Sequence, residues 1–473
     1  MQEVLRTLAE WVERVNDAIW GIPLILGISL VGIWLSMRLG FLQIRRLKLA
    51  FRLLLRPPDE NSQGAVSAFG ALTTSLAAMI GTGNIVGVAT ALAAGGPGAI
   101  VWMMLAALFG MATTYAEGLL AVKYRRVDAN GHVLGGAFLY IERGMGRRFR
   151  PLAKIFAVFG TAAALLGIGT MTQVNGIAGA FTDLVDAQGT WVLTWQGIRI
   201  SVPTLICAVA VTVLVGVIIF GGIKRIARVS EFVVPVMGTL YVLATVAVLV
   251  ACARDVPRAV LEIVSSAFTG QAAFGGFSGA LVARAVRMGV ARGIFSNEAG
   301  LGSASIAAAA ARTKWPAEQG LISMIGTFID TVVLCTMTGI AIVVSGALET
   351  GLTGVALTNA AYSAGFPFAP GLGKVIVSVS LMFFAFTSIL GWNYYGEQCL
   401  EYLGGRNRLT VYRAFYLLAI FIGCFLEINL VWNISDIFNG LMALPNLIAL
   451  IALSGVVVRE TRRYFAVQRL DER

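Results

Sequence analysis

Two clusters of glycine and small polar residues interrupt segments that are otherwise long and apolar. The first is Gly81-Thr82-Gly83-Asn84, and the second runs from Phe274 to Gly279. A glycine disfavours a helix interior by about 0.8 to 1 kcal/mol relative to alanine, so both clusters predict a broken helix. A break exposes backbone N–H and carbonyl groups, which can bind charged groups without ionised side chains. The alternative is that these glycines only permit close helix packing.

Polar and acidic side chains inside other apolar segments are further candidates. Gln173 lies in one such segment, and Thr387 and Ser388 form a neighbouring hydroxyl pair in another. Asp330 also lies within an apolar segment, where a carboxyl group is costly unless it is paired. Asp330 could relay a proton, brace a gate, or only anchor helices through neutral donors.

Several kinds of enzyme chemistry find no support in the sequence. The sole histidine, His132, falls in a polar loop, which argues against an HExxH zinc site or a Ser-His-Asp triad inside the membrane. No G-x-x-x-x-G-K loop is present, which argues against direct use of ATP. We therefore predict that the chain is not an enzyme and needs no organic cofactor.

Composition defines the class of protein that positions these residues. The 473 residues are 58% hydrophobic and only 13% charged, whereas a soluble domain carries about 25% charged residues. Apolar runs of about twenty residues can cross a bilayer as helices. We predict an all-α polytopic membrane protein, one transporter domain over 1–473, with eleven transmembrane helices near 18–38, 66–94, 97–122, 153–180, 201–221, 230–252, 265–290, 317–347, 373–398, 411–427 and 431–458.

Positive charge predicts the orientation of these spans. Alternate connecting stretches carry 30 and 6 of the 36 lysines and arginines. By the positive-inside rule, the N-terminus lies outside and the C-terminus in the cytoplasm, with 123–152 and 284–316 as cytoplasmic loops. We expect a protein of the plasma (cell inner) membrane whose net charge of +11 reflects topology, so that its partner is the lipid bilayer and not nucleic acid.

The two glycine clusters also predict an internal repeat. They lie five spans apart, and because five is odd, their spans cross the membrane in opposite directions. We predict inverted repeats over 66–252 and 265–458, preceded by one extra helix at 18–38. Interrupted segments at matching places in two halves indicate the binding site of a transporter.

Several motifs resemble those of the alanine or glycine:cation symporter family. The resemblance runs from about residue 66 to 415, with Ala137 at a position where the family usually has proline. It implies a LeuT-type fold of two inverted five-helix repeats and sodium-coupled uptake of alanine or glycine. The motifs are Gly81-Thr82-Gly83-Asn84-Ile85, Gly95-Gly96-Pro97-Gly98-Ala99, Ala116-Glu117, Gly136 to Glu142, Ser296 to Ala304, Gly326 to Asp330 and Leu390 to Glu397.

The resemblance implies a substrate site at the two breaks. The backbone of Thr82 and Gly83 would bind the carboxylate of an amino acid, with Asn84 orienting the loop and Gln173 as a further donor. Gln173 could instead make only an interhelical hydrogen bond. Around the ammonium group and side chain, we expect Phe274, Gly275, Gly276 and Trp392. Asn297 and Glu298 are expected outside this pocket, in a cytoplasmic segment of small residues that could gate inward release.

The same resemblance implies a sodium ion among Ala77, Ile80, Thr387 and Ser388. The two hydroxyl groups could instead bond back to their own helix. Trp392 would border the substrate side chain and limit its size, unless it faces lipid. Proton coupling and a passive channel remain alternatives to sodium symport. The preference between alanine and glycine and the oligomeric state stay open.

Overall fold

A computed structural model of the chain describes residues 2–56, 62–195, 198–269 and 278–471. These residues are mainly helical. Within them the α-helices, numbered in chain order, are α1 Gln2–Ile19, α2 Ile22–Arg38, α3 Leu42–Arg45, α4 Leu47–Leu54, α5 Ala68–Met79, α6 Val88–Gly95, α7 Ala99–Tyr124, α8 Ala137–Leu139, α9 Arg150–Leu166, α10 Met171–Val185, α11 Val202–Ile219, α12 Gly222–Ala251, α13 Val256–Phe268, α14 Ser278–Asn297, α15 Ala304–Ala309, α16 Pro316–Thr327, α17 Thr336–Val344, α18 Gly354–Gly365, α19 Pro370–Gly404, α20 Leu409–Gly423 and α21 Ile428–Asp471.

Other elements are short and connect or widen these helices. Two antiparallel hairpins pair β1 Arg126–Val127 with β2 Val133–Leu134, and β3 Val192–Trp195 with β4 Ile198–Ser201. Helical turns of wider, π-type geometry occur at Gly83–Gly87, Tyr140–Gly144 and Phe328–Cys335, and 3-10 turns at Arg147–Phe149, Ala347–Thr350 and Arg406–Arg408. Wider turns are frequent at functional sites, which directs attention to those within membrane spans.

Most predicted spans are present in the described ranges. Eight helical stretches there are long and apolar enough to cross a bilayer, and the bent pair α5 and α6 would form a ninth. The predicted span 411–427 corresponds to α20, which has only 15 residues. Part of the predicted span 265–290 lies outside the described residues. The all-α membrane class is confirmed, while the count of eleven spans stays a prediction.

Contacts between the first and last spans distinguish the two ends of the bundle. The indole N–H of Trp20 donates to the Asp436 carbonyl at 2.6 Å, which brings the starts of α2 and α21 together. At the opposite end of α2, Arg38 donates to the Ser454 hydroxyl at 2.5 Å. We call these ends the Trp20 face and the Arg38 face. Helix α7 ends at the Arg38 face, where Lys123 pairs with Glu460.

Helix α14 runs beside α7 and includes residues 284–297, which were predicted to lie in a loop. Gly289 of α14 lies against Ala99, and Gly110 of α7 lies against Ala299, so both helices run from the Trp20 face inward. Arg287 pairs with Asp17 and Arg292 with Asp436, both near the Trp20 face. The prediction of one cytoplasmic loop over 284–316 is therefore wrong for 284–297. It failed because an arginine-rich helix was counted as a loop.

The first predicted break is confirmed. Helix α5 begins with the Ser67 hydroxyl accepting from the Gly70 N–H at 2.8 Å, and it gives way to extended backbone at Ile80 (ψ 98°). The helical stretch that resumes at Gly83 makes an angle of 52° with α5. Glycines after an α-helix allow this change of direction because they add no side chain to the turn.

Candidate functional site

Protein groups already bind the backbone N–H groups at the first break. The Gly81 N–H donates to Asn84 Oδ1 at 3.0 Å, and the Thr82 N–H donates to Gln173 Oε1 at 3.1 Å. The Gln173 amide nitrogen donates to the Ile168 carbonyl at 3.0 Å. The structure therefore brings Thr82, Asn84 and Gln173 together. A bound carboxylate would have to replace the Gln173 oxygen at Thr82, so the predicted roles of these groups stay predictions.

The hydroxyl pair on α19 divides between two environments. Ser388 donates to the Ala78 carbonyl at 2.9 Å and to the Ile80 carbonyl at 3.2 Å, directly before the break. Thr387 bonds instead to the carbonyls of its own helix at positions 383 and 384, with the Met237 sulfur also in reach. Ala77, which precedes Ala78 in the chain, is fully buried. Ser388 thus lies among oxygen atoms of the kind that bind a hard cation. Thr387 instead follows the alternative, in which the hydroxyl bonds back to its own helix.

Asp330 joins three elements through neutral donors. Its Oδ1 accepts from the Asn84 amide at 2.8 Å, and its Oδ2 accepts from the hydroxyls of Ser296 and Thr331, each at 2.7 Å. All four residues are buried, and Asp330 lies in the wide turn Phe328–Cys335. This arrangement connects the first break to α14 and to the wide turn. It matches the anchoring role and leaves the proton and gating roles as predictions.

A second interrupted helix meets the first at Gly83. A Cβ atom added to Gly83 would lie 3.1 Å from the Ser296 Cα, so only glycine allows this approach without a shift. Helix α14 ends one residue later, at Asn297, and α15 begins at Ala304. The connecting turn has left-handed backbone at Glu298 (φ 58°), Gly300 (φ 88°) and Gly302 (φ 81°).

The predicted second break lies elsewhere in the chain. Phe274, Gly275 and Gly276 fall outside the described residues, so their assignment to the site stays a prediction. The interruption that contacts Gly83 in the described part of the chain is the turn 298–303. Sequence reasoning missed it, although the two closely spaced glycines Gly300 and Gly302 were a usable signal.

Glu117 holds this second turn in place. Its Oε1 accepts from the N–H groups of Gly300 and Gly302, each at 3.2 Å, and from the Asn446 amide at 2.7 Å. Glu117 is fully buried in α7, and Tyr140 donates to the Asn446 oxygen. Backbone N–H groups freed by a helix break need acceptors. Here the carboxyl group of Glu117 supplies an acceptor to two of them.

Trp392 is held by the second turn and does not face lipid. It is fully buried, and its indole N–H donates to Glu298 Oε1 at 2.8 Å. The other Glu298 oxygen accepts from the Ser303 hydroxyl at 2.6 Å. The lipid-facing alternative for Trp392 is therefore wrong. The expectation that Glu298 lies in a cytoplasmic segment is also wrong, because this residue is buried in the turn that contacts the first break.

The sequence profile described as the sodium:alanine symporter family matches residues 5–473. The chain belongs to the sodium:alanine symporter family. Members are transporters, so the prediction that the chain is not an enzyme is confirmed. Among similar proteins, an uncharacterized transporter of Haemophilus influenzae is 52% identical over 98% of this chain and 97% of its own length.

Two further relatives carry substrate names. The sodium/alanine symporter AgcS of Methanococcus maripaludis is 44% identical over 97% of each chain. The probable sodium/glutamine symporter GlnT of Bacillus subtilis is 39% identical over 98% of this chain and 91% of its own length. The crystal structure of MhsT in complex with L-phenylalanine shares the fold, with a TM-score of 0.58 and 14% identity, over 84% of this chain and 99% of MhsT. The implied LeuT-type fold is confirmed.

In this symporter family member, a cavity approaches the first break from the Trp20 face. Its volume is about 680 Å³, and its walls include Val86 and Thr90, which follow the break, and Arg292 and Trp432 across from them. On the other side of the break, Gln173, Glu298 and Trp392 are buried. The cavity therefore borders the wide turn Gly83–Gly87 and the helix that follows the break.

Proposed function

We propose that the chain carries a small neutral amino acid, alanine or glycine, into the cell together with sodium by alternating access. The observation that supports this most directly is the meeting of two interrupted helices at Gly83 and Ser296, next to the Ser388 hydroxyl and the carbonyls of Ala78 and Ile80. Backbone N–H groups, with partial positive charge, and carbonyl groups, with partial negative charge, then lie together. They can bind the two charged groups of an amino acid and a cation.

The substrate would occupy the region between the first break and Trp392. Its carboxylate would take the Thr82 and Gly83 N–H groups, with Gln173 moving from acceptor at Thr82 to donor. Trp392 would limit the size of the substrate side chain. Phe274, Gly275 and Gly276 complete the proposal as predicted contacts near the ammonium group. The name of GlnT makes glutamine a necessary competitor in any test of size.

The domain and orientation form part of the proposal. One transporter domain would contain inverted repeats over 66–252 and 265–458, since α5 with α6 and α14 with α15 each open a half with an interrupted helix. The N-terminus and the Trp20 face would lie outside, and the C-terminus in the cytoplasm of the plasma membrane. The positive-inside rule supports this, because most lysines and arginines still fall on the Arg38 side after Arg284, Arg287 and Arg292 are moved.

Reconstituted proteoliposomes test the proposal. An inward sodium gradient, with a protonophore present, should drive labelled alanine above its equilibrium level, and unlabelled glycine and glutamine are added as competitors. Accumulation driven by a proton gradient without sodium would instead indicate proton coupling. Equilibration without accumulation under either gradient would indicate a passive channel.

The sodium site is tested by replacing the two neighbouring hydroxyls separately. We expect Ser388→Ala to raise the sodium midpoint of alanine uptake about ten-fold, the equivalent of roughly 1.4 kcal/mol. Thr387→Ala should shift it by less than about three-fold, because this hydroxyl bonds to its own helix. Ser378→Ala is the control, since it removes another fully buried hydroxyl from α19. A larger shift for Thr387→Ala than for Ser388→Ala would place the ion at Thr387, and an unchanged midpoint in both variants would contradict an ion site at this hydroxyl pair.

Size selection is tested at Trp392 and Glu298. Trp392→Ala should admit valine or leucine as competitors and weaken alanine binding, because the lost ring enlarges the pocket. Trp392→Phe keeps an aromatic ring but removes the hydrogen bond to Glu298. Leaving a buried acceptor unsatisfied costs about 1–3 kcal/mol, so we expect alanine binding about ten-fold weaker.

The control is Trp102→Phe, which removes an indole hydrogen bond to the Ala267 carbonyl at the Trp20 face. Competition binding with glycine, alanine, valine, leucine and glutamine gives the ranking. If Glu298 acts by holding the indole, Glu298→Gln combined with Trp392→Phe should cost no more than the larger single effect. An unchanged ranking in folded Trp392→Ala protein would remove this side chain from the pocket.

A further inference from the structure

A basic groove lies at the Arg38 face, between the chain that leaves the first span and the last helix. It has a volume of about 520 Å³. Its lining residues belong to the described part of the chain, and none of them carries a carboxylate. We call it the arginine groove, defined by the guanidinium groups of Arg45, Arg46 and Arg462 and the apolar side chains of Leu39, Leu42 and Phe465.

A left-handed turn brings two of these arginines to the last helix. Gly40 has φ 62° and Phe41 has φ 53°. Left-handed backbone is unfavourable for a residue with a side chain, so Phe41 carries a conformational cost. The turn directs α3 back toward the end of α2, where the Arg45 guanidinium reaches the Leu39 carbonyl at 3.4 Å. The tertiary fold therefore maintains an unfavourable turn that places Arg45 and Arg46 beside α21.

Ring stacking orients one guanidinium group within the groove. The Arg46 guanidinium carbon lies 4.7 Å from the centre of the Phe465 ring. A guanidinium stacked on a ring is fixed in its plane while its N–H edges remain able to donate. Those edges match the spacing of two oxygens of a phosphate. With Arg45 and Arg462, three arginines in all line this one groove.

The position of the groove indicates which phosphate compound it meets. It lies at the Arg38 face, beside the ends of the two candidate spans Glu10–Arg38 and Leu430–Gln468. Phe41 and Ile44, next to it, are 43% and 57% exposed and offer apolar surface at this level. Basic pockets between spans at the membrane surface bind anionic lipid headgroups. We propose that the arginine groove binds the phosphate headgroup of an anionic phospholipid, with its acyl chains against Phe41 and Ile44.

Native mass spectrometry of the full chain in detergent provides the test. The probes are phosphatidylglycerol, phosphatidylcholine and inorganic phosphate. The groove variant is Arg45→Gln, Arg46→Gln and Arg462→Gln combined. The control variant, Arg147→Gln, Lys154→Gln and Arg408→Gln, removes three exposed positive charges outside the groove. We expect wild-type and control protein to retain phosphatidylglycerol, and the groove variant to bind it at least about ten-fold more weakly.

The remaining results separate the sources of phosphate. Equal binding of phosphatidylglycerol to the groove and control variants would overturn the proposal, as would equal binding of phosphatidylcholine and phosphatidylglycerol to the wild type. Displacement of phosphatidylglycerol by millimolar inorganic phosphate would also overturn it, because it would indicate a site for soluble phosphate. If the triple variant does not fold, Arg46→Lys retains the charge, loses the planar stack, and should still weaken phosphatidylglycerol binding. No result depends on the transported substrate.

Discussion

Gly391→Ala is expected to abolish most sodium-driven alanine uptake, whereas Gly371→Ala in the same helix should leave uptake nearly unchanged. A Cβ atom at Gly391 would lie 2.8 Å from the backbone nitrogen of Ala78 and 2.9 Å from its Cα. These backbone atoms lie in the last turn before the first break and cannot rotate away. A Cβ at Gly371 meets nothing within 4 Å.

The expected loss of uptake follows from the separation of two helices. To accommodate the methyl group, α19 and α5 have to separate, which also pulls Ser388 from the Ala78 and Ile80 carbonyls. Overpacking of this kind costs about 1–3 kcal/mol, so we expect uptake reduced by roughly ten-fold or more. Initial rates in proteoliposomes, with thermal unfolding of the purified variants as a check of folding, give the measurement. Comparable rates for the two alanine variants would contradict the predicted contact between α19 and the break.

Asp330→Asn is expected to reduce uptake strongly at every pH. The Asp330 carboxylate accepts hydrogen bonds from Asn84, Ser296 and Thr331. An amide supplies one acceptor oxygen and brings two N–H groups, so at least one buried donor loses its acceptor. Leaving a buried polar group unsatisfied costs about 1–3 kcal/mol. The first break would then lose its side-chain hydrogen bond to the wide turn Phe328–Cys335, and the Asn84 amide would keep its contacts with the Asp330 backbone carbonyl at 3.1 Å and the Cys335 sulfur at 3.4 Å.

A pH series distinguishes the roles left open for Asp330. If the carboxylate only anchors the helices, uptake by Asp330→Asn is low throughout and remains sodium-driven. If it relays a proton, the variant instead loses only the component of uptake that responds to a proton gradient. Combining Asp330→Ala with Asn84→Ala tests the contact itself, since residues acting as a unit should not show additive losses. Asp183→Asn, an acid outside this network, serves as the control.

The class of protein and the first break were predictable from the sequence. Apolar runs, scarce charge and glycines at 81 and 83 act locally, because a segment of about twenty apolar residues and a glycine-rich turn need no distant partner to have their effect. The same local signals predicted most span positions correctly. They failed for 284–297, where arginines indicated a loop, whereas Arg287 and Arg292 lie on helix α14 and pair with Asp17 and Asp436 of other helices.

Only the tertiary structure decided which polar groups meet. The Trp392 contact with Glu298 joins residues 94 positions apart, the Glu117 contact with Gly300 spans 183, and the Asn84 contact with Asp330 spans 246. No periodicity or local preference extends over such distances. Ser388 and Thr387 are neighbours in sequence, yet successive helix residues point about 100° apart, so one reaches the broken helix and the other does not. The sequence by itself supplied the glycines and the buried acids, and the packing of separate helices determined their partners.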